Sequence, residues 1–257
     1  MIKEFFTEKG IIIPAVTTAQ MKEIDRIAVE ETGPNLYQMM ENAGRNLAGI
    51  TMKVLGNNWR EQNIIVIAGT GGNGGGGICA ARHLANHGRN VKVCITEQNK
   101  LKEVPAYQLH ILKSTNAKII SPKELRYEKP DLIIDALIGY NLSGEPEGKA
   151  LELIKWTEKQ LCIKISLDVP SGIDATSGSK SKHFIKPDLT LTLALPKAGL
   201  LPDLTGELYL GDIGIAGSVY KRIGIDIPDS FFNGNYILPL FHSGRSTPLL
   251  NQVLSKS

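Results

Sequence analysis

Glycine dominates the stretch of this chain that is best suited to binding a phosphate. Seven of the nine residues from Gly69 to Gly77 are glycine, and they follow the apolar run Ile64–Ala68 and precede a helical pattern from Ile78. A buried strand that passes through glycines into a helix brings backbone N–H groups and the positive end of the helix to one point. Glycine also lets backbone approach a ligand closely, because it has no Cβ. We therefore predict a phosphate-bearing ligand here.

Polar side chains follow three later apolar runs. Asp135 and Asp168 each end such a run, and Lys197 lies in the Pro-Lys-Ala-Gly loop after another. Each signal alone is weak, and Asp135 by itself is equally well explained as a helix cap. The carboxyl ends of parallel strands share one edge of a sheet, and ligands of such folds bind there. We expect the glycine stretch and these three loops to form one site.

Apolar spacing predicts the elements that position these loops. Strands are expected at 63–68, 91–96, 117–120, 131–135, 162–168 and 188–194, and helices at 76–88, 103–114 and 148–159. Two earlier helices are expected, one from the capping box of Thr17 and Gln20 to about residue 31 and one over 35–55. The alternation predicts an α/β fold, a Rossmann-like three-layer α/β/α sandwich with a mostly parallel central sheet. Residues 1–16 are expected to be an N-terminal lead-in, 17–241 the domain and 242–257 a polar tail.

Composition excludes several classes of partner. The net charge is +3 and the lysines are scattered, so no nucleic-acid partner is expected. No apolar run has the length of a membrane span and the N-terminus lacks a signal-peptide core, so we expect no membrane partner and a cytoplasmic location. The three cysteines have no CxxC spacing, which argues against a disulfide framework or a zinc site.

Six motifs in order resemble the YjeF N-terminal domain family, the NAD(P)H-hydrate epimerases, from about Thr18 to Gly217. The helix patterns are TTAQMKEIDRIA and LYQMMENAGRNLA, the glycine loop is AGTGGNGGGG, and the acidic strand end is DLIIDALIGYNLSG. The later loops are SLDVPSGIDATSG and LALPKAG, followed by GDIGI. DVPSG together with PKAG is the most specific part of the resemblance.

The resemblance implies an isomerase that interconverts the R and S epimers at C6 of hydrated NADH or NADPH (NADHX or NADPHX). It implies substrate binding by Gly72, Asn73, Gly74, Gly75, Gly76, Gly139, Tyr140, Asn141, Leu142, Ser143, Gly144, Glu145 and Asp168. It also implies a potassium ion (K+) held by Asn73, Asp135 and Ser171, and oxygen ligands of this kind suit a hard cation. Family members commonly form homodimers. The dehydratase domain often fused to the family has no counterpart after Gly217, so we expect the dehydratase to be a separate polypeptide.

The glycine stretch lacks two polar side chains of the family pattern. The family usually reads GPGNNGGDG, whereas this chain has Gly72 in place of the first asparagine and Gly76 in place of the aspartate. An amide and a carboxylate beside the ligand are lost. Our hypothesis for the reaction is that Asp168 transfers the proton, with Lys197 as its electrostatic partner or as a second proton carrier.

Two alternatives remain open. Gly69, Gly71 and Gly74 fit the dinucleotide fingerprint of an ordinary Rossmann dehydrogenase, with Glu97 near the position of a ribose-binding acid. The fingerprint alone is weak, and no second catalytic domain follows. The other alternative is a catalytically lapsed dinucleotide-binding or dimerising scaffold module of the same fold, which the change at Gly76 favours.

Overall fold

The structure, a computed structural model, describes residues 4–88, 91–228 and 231–242. Its strands are β1 (Glu4–Phe6), β2 (Ile12–Pro14), β3 (Ile64–Ala68), β4 (Val91–Ile95), β5 (Lys118–Ile120), β6 (Leu132–Ala136), β7 (Ile163–Leu167), β8 (Leu189–Leu193), β9 (Glu207–Gly211) and β10 (Ile237–His242). Its α-helices are α1 (Thr18–Ile27), α2 (Leu36–Leu55), α3 (Gly72–His87), α4 (Glu103–Leu112), α5 (Pro122–Leu125), α6 (Gly148–Glu158) and α7 (Gly217–Lys221). A π-helical turn, Ala28–Thr32, extends α1. All but His242 of the tail expected over 242–257 lies outside the described residues.

The ten strands form one sheet in the order β2-β1-β10-β9-β8-β7-β6-β3-β4-β5. Strands β3 to β9 pair in parallel, whereas β10, β1 and β2 each pair antiparallel with their neighbours. After β3 the chain goes to β4 on one side and returns as β6 on the other. The loops after β3 and β6 therefore turn apart, which creates a crevice at the carboxyl edge of the sheet.

Side chains that alternate along the central strands hold the three layers together. In β3, Ile64 and Val66 pack in a core with α2, α3 and α4. Ile65 and Ile67 point to the other face and pack against Leu125 of α5 and Leu153 of α6. Both faces of the sheet are thus buried, which confirms the predicted Rossmann-like sandwich.

The antiparallel edge of the sheet was not predicted in full. Strand β1 lies in the segment expected as a lead-in, and it buries Phe5 in a core with Ile13 and with apolar residues of α1, β9 and β10. Strands β9 and β10 and the short helices α5 and α7 were also not predicted. The domain boundaries expected at residues 16 and 241 stay a prediction.

Helix α3 begins four residues before the predicted start, so the expectation of a helix over 76–88 was wrong at its N-terminus. Four glycines of its first two turns, Gly74 to Gly77, lie in close contact with neighbours. A Cβ added to Gly75 would lie 2.3 Å from Met40 Sδ, and one added to Gly77 would lie 2.4 Å from Ala136 Cβ. Close packing against α2 and β6 therefore outweighs the low intrinsic helix propensity of glycine.

Candidate active site

A cavity of about 500 Å3 opens at the carboxyl edge, between the loops that follow β3 and β6. The sheet side is formed by residues that follow or end parallel strands, and helices α1, α2 and α4 form the opposite side. The residues that line it include Asp25, Gly71, Gly72, Asn73, Gly76, Lys102, Gly139, Tyr140, Asn141, Leu167, Asp168 and Lys197. This volume and position suit an organic ligand of moderate size.

Glycines, which have no side chain, allow the loops to meet at the start of α3. A Cβ on Gly69 would lie 2.1 Å from the carbonyl oxygen of Leu137, and one on Gly74 would lie 1.9 Å from the carbonyl oxygen of Gly69. Around Gly72 nothing lies within 4 Å of such a Cβ, so this position opens on the cavity. The N-cap Gly71 has no side chain to occupy the free backbone N–H groups of α3. The helix thus presents donors and its positive end to the cavity.

Asp168 and Lys197 form a buried ion pair on the cavity wall. Their exposed fractions are 4% and 1%, and Lys197 Nζ donates a hydrogen bond to Asp168 Oδ1. The Lys197 ammonium also donates to the carbonyl oxygen of Leu193 at 2.8 Å. Two strong bonds to one ammonium fix its position, so the pair is pre-organised before any ligand arrives.

The local backbone explains why these two side chains meet. Asp168 has φ +66°, in the left-handed region, and its N–H donates to Leu191 O at 2.7 Å, so the chain turns sharply at the end of β7. The Lys197 segment is held by Val16, whose N–H donates to Pro196 O and whose carbonyl accepts from Ala198 N, both at 2.9 Å. A left-handed non-glycine residue is strained, and such strain is concentrated at functional sites.

A second carboxylate, Asp25 of α1, lines the cavity from its helix side and was not among the predicted site residues. The Tyr140 hydroxyl donates a hydrogen bond to Asp25 Oδ2, and Lys197 Nζ lies 5.7 Å from the centre of the Tyr140 ring. Burial raises the pKa of Asp25, although the bond from Tyr140 and the charge of Lys197 act in the opposite sense. Burial and the Asp25 charge raise the pKa of the Tyr140 phenol. The sequence did hold a signal, because Asp25 comes four residues after Met21 on the apolar stripe of α1.

Asp135 and Ser171 lie beneath the cavity and do not line it. The Asp135 side chain is fully buried, and all its hydrogen bonds come from neutral donors: Ser171 N at 2.9 Å, Ser171 Oγ at 2.6 Å, Ser166 Oγ at 2.8 Å and Leu137 N at 3.2 Å. Burial raises the pKa of Asp135, and these donors lower it in part. The carboxylate therefore ties the loop after β6 to the loop after β7 while its charge stays unbalanced by any of these partners.

Asn73 is connected to this network through the loop after β6. Ser171 Oγ accepts from Ile138 N at 2.9 Å, and a Cβ added to the next residue, Gly139, would lie 3.2 Å from Asn73 Oδ1. The Asn73 Nδ2 atom is buried without a hydrogen-bond partner among the described residues. An amide N–H group without an acceptor at a cavity wall is suited to donate a hydrogen bond to a ligand.

Comparison with known proteins gives the same family for most of the chain. Residues 36–199 match the family described as the YjeF-related protein N-terminus. An NAD(P)H-hydrate epimerase of Dehalogenimonas lykanthroporepellens is 50% identical over 240 residues, which cover 93% of this chain and 98% of the relative. The chain belongs to the YjeF N-terminal family.

Two further relatives of this YjeF N-terminal domain differ in length and divergence. A bifunctional NAD(P)H-hydrate repair enzyme of Hyperthermus butylicus is 34% identical over 82% of this chain, which matches 40% of the relative. The crystal structure of yeast ynu0 superimposes with a TM-score of 0.74 at 25% identity, covering 88% of this chain and 99% of that one. The family fold is therefore retained across large sequence changes.

The predicted substrate-binding residues of the YjeF N-terminal domain lie in three kinds of place. Gly72, Asn73, Gly76, Gly139, Tyr140, Asn141 and Asp168 line the cavity. Gly74 and Gly75 are buried within α3. Leu142, Ser143, Gly144 and Glu145 continue away from the wall, and Glu145 accepts a hydrogen bond from Lys182 N at 3.0 Å. The structure thus brings together the first part of each predicted loop.

The two glycines that replace polar residues of the family loop have different surroundings. A Cβ on Gly72 meets nothing within 4 Å, so an asparagine could be accommodated there. A Cβ on Gly76 would lie 2.7 Å from Leu167 Cδ2, which occupies the space that a side chain at 76 would use. Leu167 must therefore move before an aspartate can be restored at Gly76.

A possible ion-binding group lies outside the cavity, between α2 and α3. Ligand atoms of Glu41, Cys79 and His83 all lie within 4.8 Å of one another. Arg82 Nη2 lies 2.5 Å from Glu41 Oε2, 3.3 Å from His83 Nε2 and 3.4 Å from Cys79 Sγ. The guanidinium therefore already supplies a positive charge to this group. Burial raises the pKa of Cys79 to about 12, so the thiol is a poor metal ligand as it stands.

Two features of the structure bear on the other classes of protein considered from the sequence, dehydrogenases and membrane proteins. Glu97, considered as a ribose-binding acid, forms an ion pair with Lys100 at 2.9 Å and does not line the cavity. Within residues 4–88, 91–228 and 231–242, no helix is both long and apolar enough to cross a membrane.

Proposed function

We propose that this chain is an isomerase that interconverts the R and S epimers at C6 of hydrated NADH or NADPH. The observation that carries the proposal is the buried Asp168–Lys197 pair, which opens on a cavity whose wall includes the start of a glycine-rich helix. The names of its relatives support the same substrate. The preserved ion pair favours an enzyme over a lapsed binding module.

The substrate carries a hydroxyl on C6 beside the ring nitrogen. Inversion needs a group that protonates this hydroxyl or removes its proton, and a positioned carboxylate can do either. In our proposal Asp168 transfers the proton, while Lys197 holds the Asp168 carboxylate in place and balances its charge. Because both side chains are already oriented, little reorganisation is needed when the substrate binds.

The start of α3 is proposed to bind the pyrophosphate of the dinucleotide. Free N–H groups and the helix dipole favour an anion there, and glycine at position 72 lets a phosphate approach the backbone. The residues of the loop after β6, from Gly139 to Glu145, are proposed to contact the remainder of the substrate. This division leaves the hydrated ring near Asp168.

Asn73, Asp135 and Ser171 are proposed to hold a potassium ion. The donor set fits a hard monovalent cation, since it offers amide, carboxylate and hydroxyl oxygens. The buried charge of Asp135, which meets only neutral donors, would be balanced by such an ion. The Ser171 hydroxyl now donates its proton to a lone pair of Asp135 Oδ1. That proton would have to turn away so that the lone pair could bind the ion. When bound, the ion would offset phosphate charge beside the start of α3.

A coupled assay tests the proposed activity. A dehydratase specific for the S epimer is given a mixture of both epimers, and the decay of the R epimer is followed with and without this protein. We expect complete consumption with the wild type and residual R epimer with Asp168→Asn. Asparagine tolerates the left-handed backbone at this position, so the variant is expected to fold.

Asp174→Asn is a matched control for this assay, because Asp174 belongs to the same loop but its carboxylate accepts, among the described residues, only from nearby Thr176 and Ser177. It is expected to behave as the wild type. An Asp168→Asn protein as active as the control would overturn the assignment, and an inactive wild type would favour the scaffold module.

The partners and the location remain proposals as well. A separate dehydratase polypeptide is proposed to consume the product, and the bifunctional repair enzymes among the relatives support functional coupling. A homodimer and a cytoplasmic location are retained from the family resemblance and from the sequence.

A further inference from the structure

Four ionisable side chains form a continuous row from Asp168, on the sheet side of the cavity, to Asp25 of α1, on its helix side. Asp168 accepts from Lys197, the Lys197 ammonium lies over the ring of Tyr140, and the Tyr140 hydroxyl donates to Asp25. The row therefore has a carboxylate at each end with a cation and a phenol between them. All four line the same cavity.

We propose that Tyr140, backed by Asp25, is a second catalytic acid–base group, which serves the face of the substrate ring opposite to that served by Asp168 and Lys197. This inference rests on the proposed function, because it assigns the second proton transfer of the same epimerisation. Inversion requires that oxygen leave C6 on one face and return on the other. A single acid–base group reaches only one of these two faces.

The proposed step conserves atoms and charge. The group on the first face protonates the hydroxyl, the C6–O bond breaks with its electron pair on the departing water, and the nitrogen lone pair forms a nitrogen–carbon double bond. A water molecule then adds to C6 from the second face, and the electrons of the double bond return to nitrogen. The adding water gives its proton to the group on that face. One group has lost a proton and the other has gained one, and exchange with solvent restores both.

Tyr140 is suited to either direction of transfer. When it accepts the proton of the adding water, its own hydroxyl proton moves along the existing hydrogen bond to Asp25. When it donates, a protonated Asp25 replaces the proton. Burial raises the pKa of Asp25, which makes a protonated carboxyl group easier to reach.

Oxygen exchange measured separately for each epimer tests the proposal. Each pure epimer is incubated with enzyme in heavy-oxygen water, and inversion and label uptake are followed together by chromatography and mass spectrometry, above the rates without enzyme. Wild type is expected to label and invert both. Tyr140→Phe is expected to slow inversion on the order of a hundredfold or more. It should still label the epimer whose hydroxyl faces Asp168 and lose labelling of the other.

The other variants make the pattern specific. Asp25→Asn should reproduce the pattern of Tyr140→Phe, and Asp168→Asn should show the mirror image, with labelling confined to the opposite epimer. Tyr209→Phe is the matched control, because Tyr209 is buried and, like Tyr140, donates to a carboxylate, here that of Glu207, but lies away from the cavity. It is expected to match the wild type.

A merely structural role for Tyr140 would lower labelling of both epimers equally, and that result overturns the proposal. So does inversion by Tyr140→Phe at the wild-type rate, or inversion by the wild type without label uptake. If the wild type inverts neither epimer, the proposed function itself fails. An active wild type with an unaffected Tyr140→Phe rejects only the second acid–base group.

Discussion

Replacing Lys197 with methionine would leave a buried carboxylate without its cation. Asp168 is 4% exposed, and after Lys197→Met its remaining bonds would be those from Leu193 N at 3.2 Å and Thr192 Oγ1 at 3.4 Å, both at the long end of the hydrogen-bond range. Removing one partner of a buried ion pair costs about 3–5 kcal/mol of stability. Because Asp168 opens on the cavity and water can reach it, we expect the lower end, about 3 kcal/mol.

Urea unfolding at neutral pH measures this loss as a change in the free energy of unfolding. Methionine keeps the length and apolar stem of the lysine, so the lost charge is the main change. The double variant with Asp168→Asn is expected to recover most of the loss, because no unpaired charge then remains. The control is Lys100→Met, which breaks an exposed pair with Glu97 and should change stability by less than about 1 kcal/mol. A loss for Lys197→Met no larger than for this control would refute the reasoning.

Three further predictions concern packing, pH and the ion. Gly77→Ala should lower the free energy of unfolding in urea by about 1–3 kcal/mol, because the new Cβ would lie 2.4 Å from Ala136 Cβ. Gly49→Ala is the control: nothing lies within 4 Å of its Cβ, so it should raise that free energy by about 0.5–1 kcal/mol. Similar values for the two variants would contradict this reasoning. Burial lowers the pKa of His83 from 6.5, so the unfolded chain binds a proton more readily than the folded state, and stability should fall as the pH drops below 6.5. His83→Gln should make this fall shallower. An unchanged slope of stability against pH in the variant would contradict the assignment to His83. Potassium chloride should raise the melting temperature of the wild type more than choline chloride does at equal ionic strength. Asp135→Asn should abolish this difference between the two salts. The same difference in the wild type and in the variant would argue against the ion site.

Strands β3 to β8, the greater part of the parallel sheet, could be predicted because each is an apolar run bounded by polar residues, glycine or proline. Strands β3 to β8 lie within one or two residues of the expected ranges. The antiparallel edge could not be predicted this way, since β1 is only three residues long and Pro239 interrupts the pattern of β10. Pairing across the sheet, rather than local pattern, stabilises these strands.

The start of α3 shows why local propensity failed at the site. Glycine is the poorest helix former after proline, so the helix was expected only from residue 76. In the structure, Gly74 contacts Gly69 and Gly77 contacts Ala136 closely, so only glycine permits the packing that stabilises these turns. The absence of a side chain lowers the helix propensity of glycine, and the same absence is what the close packing of α3 requires.

Asp168 and Lys197 could be singled out because each follows a strand of the same sheet, and the structure places them in direct contact. Asp25 could not be found in this way. It lies on a helix, and its partner Tyr140 is 115 residues away in sequence, so its place on the apolar stripe of α1 is a weak signal and the tertiary contact is what indicates its role. Asp135 and Ser171 also meet, but beneath the cavity rather than on its wall.

We expect this protein to invert C6 of the hydrated dinucleotide at the cavity that holds Asp168 and Lys197. Proton NMR of a single pure epimer, with no dehydratase present, measures this most directly. Wild type is expected to bring the epimers to equilibrium far faster than buffer alone, and Asp168→Asn is expected to lose most of that acceleration. Equal rates with wild type, with Asp168→Asn and with buffer would contradict the claim.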